Sequence, residues 1–317
     1  MNGTVRGASQ AMNAATTVAV LYPGEMGAVL AGLLMRRGAR VVTTLQGRGP
    51  STVQRCRETG VIELDSLRQV VREAAVVFSL VPPAQAQAMA RAYCELAHLS
   101  PPGALYVDAN SIGPGLAESL SAQLAEHGRG FVDAAINGLA ANAASGGTLF
   151  LSGPRAAEVA ELVTPAMRVQ VLGDGPAAAS ALKMALGGLA KGLCSLFVET
   201  ALLADCHKML PQMLEATAGI YPGVYAIVQR MLPTYALHAE RRATEMAQVE
   251  QTLRAAGVEP VVIEAVRKVH QRWAAAGVDS LDGSADGPVA AILRHLSASA
   301  PQPDQPPAGT TDPAKRV

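Results

Sequence analysis

The stretch from Thr16 to Thr44 limits the possible folds more than any other part of the chain. An apolar run, Thr17-Val-Ala-Val-Leu21, is followed by a turn carrying Gly24 and Gly27, a helix-periodic stretch to Arg37, and a second apolar run, Arg40-Val-Val-Thr-Thr44. Strand, glycine turn, helix and strand within about 30 residues make a βαβ unit, and a run without polar alternation is a strand covered on both faces. The alternation continues. Strands are expected over Ala74–Val81, Ala104–Asp108, Gly130–Ala135 and Thr148–Ser152, with helices over Ala86–Leu96 and Leu116–His127. That order predicts an α/β Rossmann-type doubly wound parallel sheet with its ligand at the carboxyl ends of the strands. After Gly173 long helical patterns take over as far as Leu296, including a pair, Arg241–Ala256 and Pro260–Ala275, separated by Gly257. The expected organisation is a flexible N-terminus over 1–15, a Rossmann domain over 16–172, an all-α domain over 173–296 and a disordered tail over 297–317, rich in Pro, Ser, Thr and Gln.

Composition narrows the function classes. Half of the 317 residues are hydrophobic but only 3% are aromatic, so the core must be built from Ala, Val and Leu. Lys and Arg number 26 and so do Asp and Glu, which leaves no net field to draw the molecule to nucleic acid or anionic lipid. Cys56, Cys94, Cys194 and Cys206 show neither CxxC nor zinc spacing and read as reduced core thiols of a cytoplasmic protein. The histidines, His98, His127, His207, His238, His270 and His295, have no metal-ligand spacing and are expected at surfaces or helix ends. No metal is expected. The first fifteen residues carry only Arg6 and no continuous apolar stretch, so no secretion signal is expected. Ala177–Cys206 is long and apolar enough to raise the question of a membrane span, but Lys183, Lys191 and Glu199 interrupt it, which favours a buried central helix.

The turn after the first strand reads Tyr22-Pro23-Gly24-Glu25-Met26-Gly27. Against the dinucleotide fingerprint GxGxxG, Gly24 and Gly27 fill the second and third glycine positions and Tyr22 replaces the first. Gly24 lets a pyrophosphate approach the backbone, and Gly27 lets the helix pack on the strand with its N-terminus toward the anion. A site for NAD wants a carboxylate on the ribose about 20 residues further on, near Thr44. No carboxylate lies between Glu25 and Glu58, whereas Arg48 sits in the loop Gln46–Thr52 beside Ser51 and Thr52. An Arg with neighbouring hydroxyls is the chemistry a 2′-phosphate needs, so the expected cofactor is NADP. The alternative is a solvated loop charge.

Lys183 lies inside an apolar helical stretch, with Ala179, Ser180, Leu186 and Gly187 on its face. Those small neighbours leave its side chain room, and a poorly solvated ammonium gives up its proton more readily. A lysine snorkelling to the surface fits the same spacing.

Four motifs carry a resemblance. They are the glycine turn with Met26 before Gly27; Asp108-Ala109-Asn110-Ser111-Ile112-Gly113-Pro114; Asp133-Ala-Ala-Ile-Asn137-Gly138-Leu139 followed by Gly147-Thr148-Leu149; and Lys183, eight residues after Gly175. From Thr16 to about Ala275 the chain resembles the β-hydroxyacid dehydrogenases that include 3-hydroxyisobutyrate and 6-phosphogluconate dehydrogenases, and most of all a 6-phosphogluconate-dehydrogenase-like branch with a distinctive C-terminal helical domain. The resemblance implies hydride transfer between nicotinamide and a small polar hydroxy or keto acid, with Lys183 exchanging the oxygen's proton. It implies that Asn110, Ser111, Asn137 and Gly138 hold a polar or acidic substituent, and that Val81 and Pro82 wall the nicotinamide pocket. Tyr221, Tyr225, Arg241, Arg242 and Glu245 are further candidates for the substrate side. The chain departs from many relatives in three places. Asn137-Gly138-Leu139 stands for Ser-Gly-Gly, no Asn follows Lys183 in Met184-Ala185-Leu186-Gly187, and Thr244-Glu245 stands for a Lys-Asp pair. Two other readings follow: an imine reductase, whose relatives commonly carry Asp or Tyr in place of the lysine, and a non-catalytic NADP-binding regulator. The apolar helices of the second domain predict a homodimer.

Overall fold

The computed structural model describes residues 16–138, 146–235 and 237–275, so the expected N-terminus and tail, Leu139 and His295 lie outside the described residues. The chain divides into two compact units, Met1–Gly187 with Gln251–Val258, and Gly188–Glu250 with Glu259–Val317.

The first unit is built on a sheet of eight strands: β1 (Thr17–Leu21), β2 (Arg40–Thr43), β3 (Ile62–Glu63), β4 (Val76–Ser79), β5 (Leu105–Asp108), β6 (Gly130–Asn137), β7 (Thr148–Ser152) and β8 (Arg168–Val171), in the order β3-β2-β1-β4-β5-β6-β7-β8. Adjacent pairs are parallel except β6 and β7, which run antiparallel. The expectation of a parallel sheet therefore fails at β7, for a geometric reason. Only residues 138–147 join the two strands, fewer than the dozen or more that a parallel crossover requires. Two strands were not foreseen from sequence: β3 is too short to show a period, and β8 is an edge strand whose Val171 is exposed.

Helices α1 (Glu25–Arg36), α2 (Pro50–Thr59), α3 (Leu67–Glu73), α4 (Ala86–Leu96), α5 (Pro114–Glu126) and α6 (Ala156–Val163) flank the sheet. Alternate residues of β1 feed two separate cores, Val18 and Val20 meeting α1 and α6 on one face, Ala19 and Leu21 meeting α3, α4 and α5 on the other. α1 buries Gly27, Leu30, Ala31 and Leu34 at helical spacing, and each buried leucine contributes about 2 kcal/mol. The stretch Gln46–Thr52, expected as a loop, is one only as far as Gly49. Pro50 fills the first helical position of α2, where a missing N–H costs nothing.

A helix of 29 residues, α7 (Ala178–Cys206), contributes its residues up to Gly187 to the first unit and the rest to the second. The division into compact units falls at 187/188, inside this helix, whereas the sequence places the start of the helical domain at 173. Among the described residues α7 alone is long and apolar enough to cross a membrane, with a mean hydropathy of 1.4 over its window. α8 (Leu210–Ile220), α9 (Pro222–Met231), α10 (Ala239–Ala255) and α11 (Val261–Ala275) follow. The core of the second unit joins Cys194, Phe197, Val198, Val228, Leu232, Tyr235, Val269 and Trp273. Two expectations are corrected here. Cys206 is exposed, since it ends α7, whereas the other three cysteines are buried. His270 is no surface residue but is fully buried among Tyr235 and Trp273. No group of three metal-ligating side chains occurs among the described residues.

Candidate active site

β2 and β4 pair with opposite edges of β1, so the chain reverses its direction of travel across the sheet between β1 and β4. Their carboxyl ends open the crevice where doubly wound sheets take their ligands. The glycine turn lies there. Gly24 caps α1 with no side-chain hydrogen bond, and its N–H donates to the Tyr22 carbonyl at 2.7 Å. A Cβ placed on Gly24 meets nothing within 4 Å, so the backbone faces open space, whereas one on Gly27 meets the Tyr22 carbonyl and Val20 at 3.5 Å. Pro23 and Gly27 are buried, Tyr22, Gly24 and Met26 are half-buried, and Glu25 is exposed.

Arg48 is no solvated loop charge. Its guanidinium lies over the Tyr22 ring, 4.1 Å from the centroid, and its Nε is buried without a hydrogen-bond partner. Thr44 at the end of β2 is buried too, and its Oγ1 has no partner either. Two unsatisfied polar atoms beside an open glycine turn fit a polyanionic, hydroxyl-rich ligand such as a nicotinamide dinucleotide. Ser51 is exposed in the first turn of α2, and Pro82 is exposed after β4.

A second feature crosses the sheet. Strand register aligns Ser79 with Asp108, Asp108 with Asp133, and Asp133 with Ser152, so four fully buried polar residues form one row from β4 to β7. Each is satisfied from the row or from a segment lying over it. Asn110, itself buried, receives the Val81 N–H on Oδ1 at 2.6 Å and donates through Nδ2 to Ser79 Oγ at 3.1 Å and to Asp108 Oδ2 at 2.8 Å. Its own N–H donates to Asp108 Oδ1 at 3.1 Å. Asn110 thus ties the end of β4 to the end of β5, and its amide is spent on the protein. The next residue, Ser111, is half-buried and accepts a hydrogen bond from Lys183 Nζ at 2.7 Å. Lys183 is itself half-buried. Burial raises the Asp108 carboxyl to about 7, opposed by the two Asn110 hydrogen bonds, assisted by Asp133 and opposed by Lys183. Burial likewise raises Asp133, against hydrogen bonds from Ser180, Ser152 and Ala179.

Asn137 is exposed at the end of β6 opposite Thr148, and Gly138 follows at φ 140°, where an added Cβ would come within 3.0 Å of Gly147 Cα. In the second unit, Arg242 is nearly buried, stacked 4.4 Å over Tyr235 and bonded to the Thr234 carbonyl at 2.9 Å, so its charge braces the helices. Glu245 pairs with Lys191 at 3.0 Å and with Arg241 at 2.7 Å, while Tyr221 is exposed. Sequence reasoning placed Asp133 in a motif as a strand-end residue orienting a loop, Ser180 on the face of Lys183 and Thr44 where a ribose carboxylate is absent, but it did not single out Ser79 or Ser152. For these two the available signal was a polar residue closing an apolar run.

A Rossmann sheet with a glycine turn at its switch point is a dinucleotide-binding architecture, and the comparisons make this one an NAD(P)-dependent oxidoreductase. Residues 17–170 match the family model described as the NAD binding domain of 6-phosphogluconate dehydrogenase, and residues 201–273 match a domain of unknown function, DUF1932. The conserved protein MTH1747 of unknown function, whose structure is described as similar to 3-hydroxyacid dehydrogenases, is 31% identical over 81% of this chain and 96% of its own, with a TM-score of 0.68. L-Threonate dehydrogenase of Cupriavidus necator is 34% identical over 172 residues, which are 53% of this chain and 57% of that enzyme. A 3-hydroxyisobutyrate dehydrogenase of Mycobacterium tuberculosis shares the fold at 19% identity and a TM-score of 0.72, over 89% of this chain and 99% of its own. The chain belongs to the 6-phosphogluconate-dehydrogenase-like family of hydroxyacid dehydrogenases, in the branch that carries the DUF1932 domain.

Proposed function

We propose that the protein is an NADP-dependent dehydrogenase that interconverts a small polar hydroxy acid and its keto form, with Lys183 as the general acid/base. The observation that carries this reading is the 2.7 Å hydrogen bond from Lys183 Nζ to Ser111 Oγ, at the carboxyl end of the sheet. A bound nicotinamide supplies or accepts the hydride. The chain's own residues handle the proton and hold the substrate. In the oxidation direction a neutral Lys183 takes the hydroxyl proton, and in reduction the ammonium returns it to the carbonyl oxygen. Ser111 fixes the amine and offers its hydroxyl to the same oxygen. Asn137 and the Gly138 backbone meet the acidic substituent, while Asn110 acts by holding Val81 and Ser111 in place. Arg48, Thr44 and Ser51 receive the 2′-phosphate and its ribose, with Tyr22 backing the guanidinium. A proton-exchanging lysine favours C=O over C=N chemistry, which sets the imine-reductase alternative second. The reaction belongs in the cytoplasm, with a small molecule as its substrate.

The second unit supports a homodimer. Leu189, Leu196 and Leu203 recur every seventh residue on α7, each 61% exposed, and apolar α8 buries none of its residues. A seven-residue leucine repeat pairs with a copy of itself, so the partner is a second identical chain.

The test is turnover of a panel of 3-hydroxy acids, starting with L-threonate, by wild type and Lys183→Met. The expected loss is about 100- to 10,000-fold in kcat with unchanged NADPH binding. Full activity in the variant would overturn the assignment.

A further inference from the structure

α7 begins without a cap of its own. Ala177 precedes its first turn and has no side chain able to accept from the free N–H groups there. The strands supply what the helix lacks. Asp133 Oδ2 accepts the Ser180 N–H at 2.8 Å, and Asp133 Oδ1 accepts the Ser180 hydroxyl at 2.7 Å. Ser152 Oγ accepts the Ala179 N–H at 3.0 Å and donates to Asp133 Oδ2 at 3.3 Å. A fully buried carboxylate on β6 therefore seizes the start of α7 from outside the helix, taking the Ser180 N–H itself while Ser152 takes the Ala179 N–H, two donors that would otherwise be orphaned.

Ser180 stands three residues before Lys183, on the same face of the helix. The neighbouring member of the row, Asp108, grips Asn110, which immediately precedes Ser111. The two carboxylates in adjacent strands thus clamp the two backbone segments whose side chains meet in the Lys183–Ser111 hydrogen bond. A buried carboxylate is expensive to keep, and a serine or asparagine would serve an ordinary cap at the surface. Its retention here makes sense if what it fixes is the azimuth and axial position of α7 relative to the loop that carries Ser111.

We propose that Asp133, acting through Ser180, is a positioning residue that sets the reach of the Lys183 amine toward Ser111. This rests on the assignment of Lys183 as general acid/base, and the experiment separates the two. Asp133→Asn keeps the shape and one acceptor but loses the charge. Ser180→Ala keeps the charge and the backbone hydrogen bond, so it folds if any variant does. For each, the pH dependence of Lys183 acetylation by acetic anhydride is read by peptide mass spectrometry, beside kcat, KM and NADPH affinity. A misplacement of about 1 Å costs on the order of tenfold to a hundredfold in kcat.

The expected result is a displaced Lys183 acetylation profile in both variants, a kcat lowered by about that factor, and NADPH affinity within about twofold of wild type. Restoration by Ser180→Thr, which keeps the hydroxyl, completes the expectation. An unchanged Lys183 profile and kcat in both variants would overturn the positioning role while leaving Lys183 catalytic if Lys183→Met is dead. An altered acetylation profile with Lys183→Met fully active would sink the catalytic assignment and keep the clamp.

Discussion

At the scale of single residues, Arg48 shows how one side chain would set the nucleotide preference proposed above. Its guanidinium rests on Tyr22 with Nε unpaired, so a charged group is held half-buried and ready beside the glycine turn. Replacement by Leu keeps a packing surface for Tyr22 but removes the donors. Arg48→Leu is expected to weaken NADPH by about 10- to 100-fold, the equivalent of about 1.5–3 kcal/mol for hydrogen bonds to a charged group, with NADH affinity unchanged. Equal losses for both nucleotides in fluorescence titration would refute the 2′-phosphate role. Sequence alone pointed to Arg48 because the ribose carboxylate is missing, and to Lys183 because small residues flank it. The resemblance sets Asn110 against substrate, and here its amide is turned onto Ser79, Asp108 and the Val81 N–H. A short amide after a strand-end aspartate looks the same in sequence whether it turns outward or inward, and only the register of β4 against β5 decides that it turns in.

At the scale of elements, local signals were clearest where the chain is long and periodic. β1, β7 and α4 fall where the residues predict them. α2 was hidden because Gly49 and Pro50 read as loop chemistry, although the same pair serves as N-cap and first helical residue. The cap of α7 was hidden for a different reason, since it comes from strand residues 27 and 47 positions earlier in the chain, beyond any local pattern. The end of β6 offers a test of how tightly this part of the fold is set. Gly138 adopts φ 140° with a Cβ position 3.0 Å from Gly147 Cα, so Gly138→Ala should cost about 1–3 kcal/mol and lower the melting temperature by several degrees. A melting temperature equal to wild type by circular dichroism would mean that the turn relaxes freely.

The two compact units should answer acid in opposite ways. Asp108, in the first, has a carboxyl raised by burial to about 7 from 3.8, so the folded state holds the proton more tightly than the unfolded chain. Its contribution is fully present below about pH 4 and lost as pH rises through about 7. His270, in the second, is lowered to about 4 from 6.5, chiefly because burial disfavours its charged form. Its contribution is present above about pH 6.5 and lost as pH falls toward 4, by up to about 3 kcal/mol. Burial also lowers His238 in that unit, so calorimetry between pH 7.5 and 5 should find acid destabilisation of the helical unit that His270→Phe reduces without abolishing. An unaltered acid response in that variant would exonerate the histidine. The proposed homodimer has its own test: Leu196→Glu, on the exposed leucine repeat of α7, should shift the sedimenting species from dimer to monomer at micromolar concentration, and a wild type that sediments as a monomer would refute the dimer.

α7 runs unbroken through the division at 187/188, yet Lys183, Ser180, Ser111, Asp108 and Asp133 all fall on one side of it. The residues proposed to handle the proton thus belong to the first unit alone. Substitutions from Gly188 to Glu250 therefore leave every member of that hydrogen-bonded set in place, so the helical half can be altered in the laboratory while the Lys183–Ser111 contact is held constant.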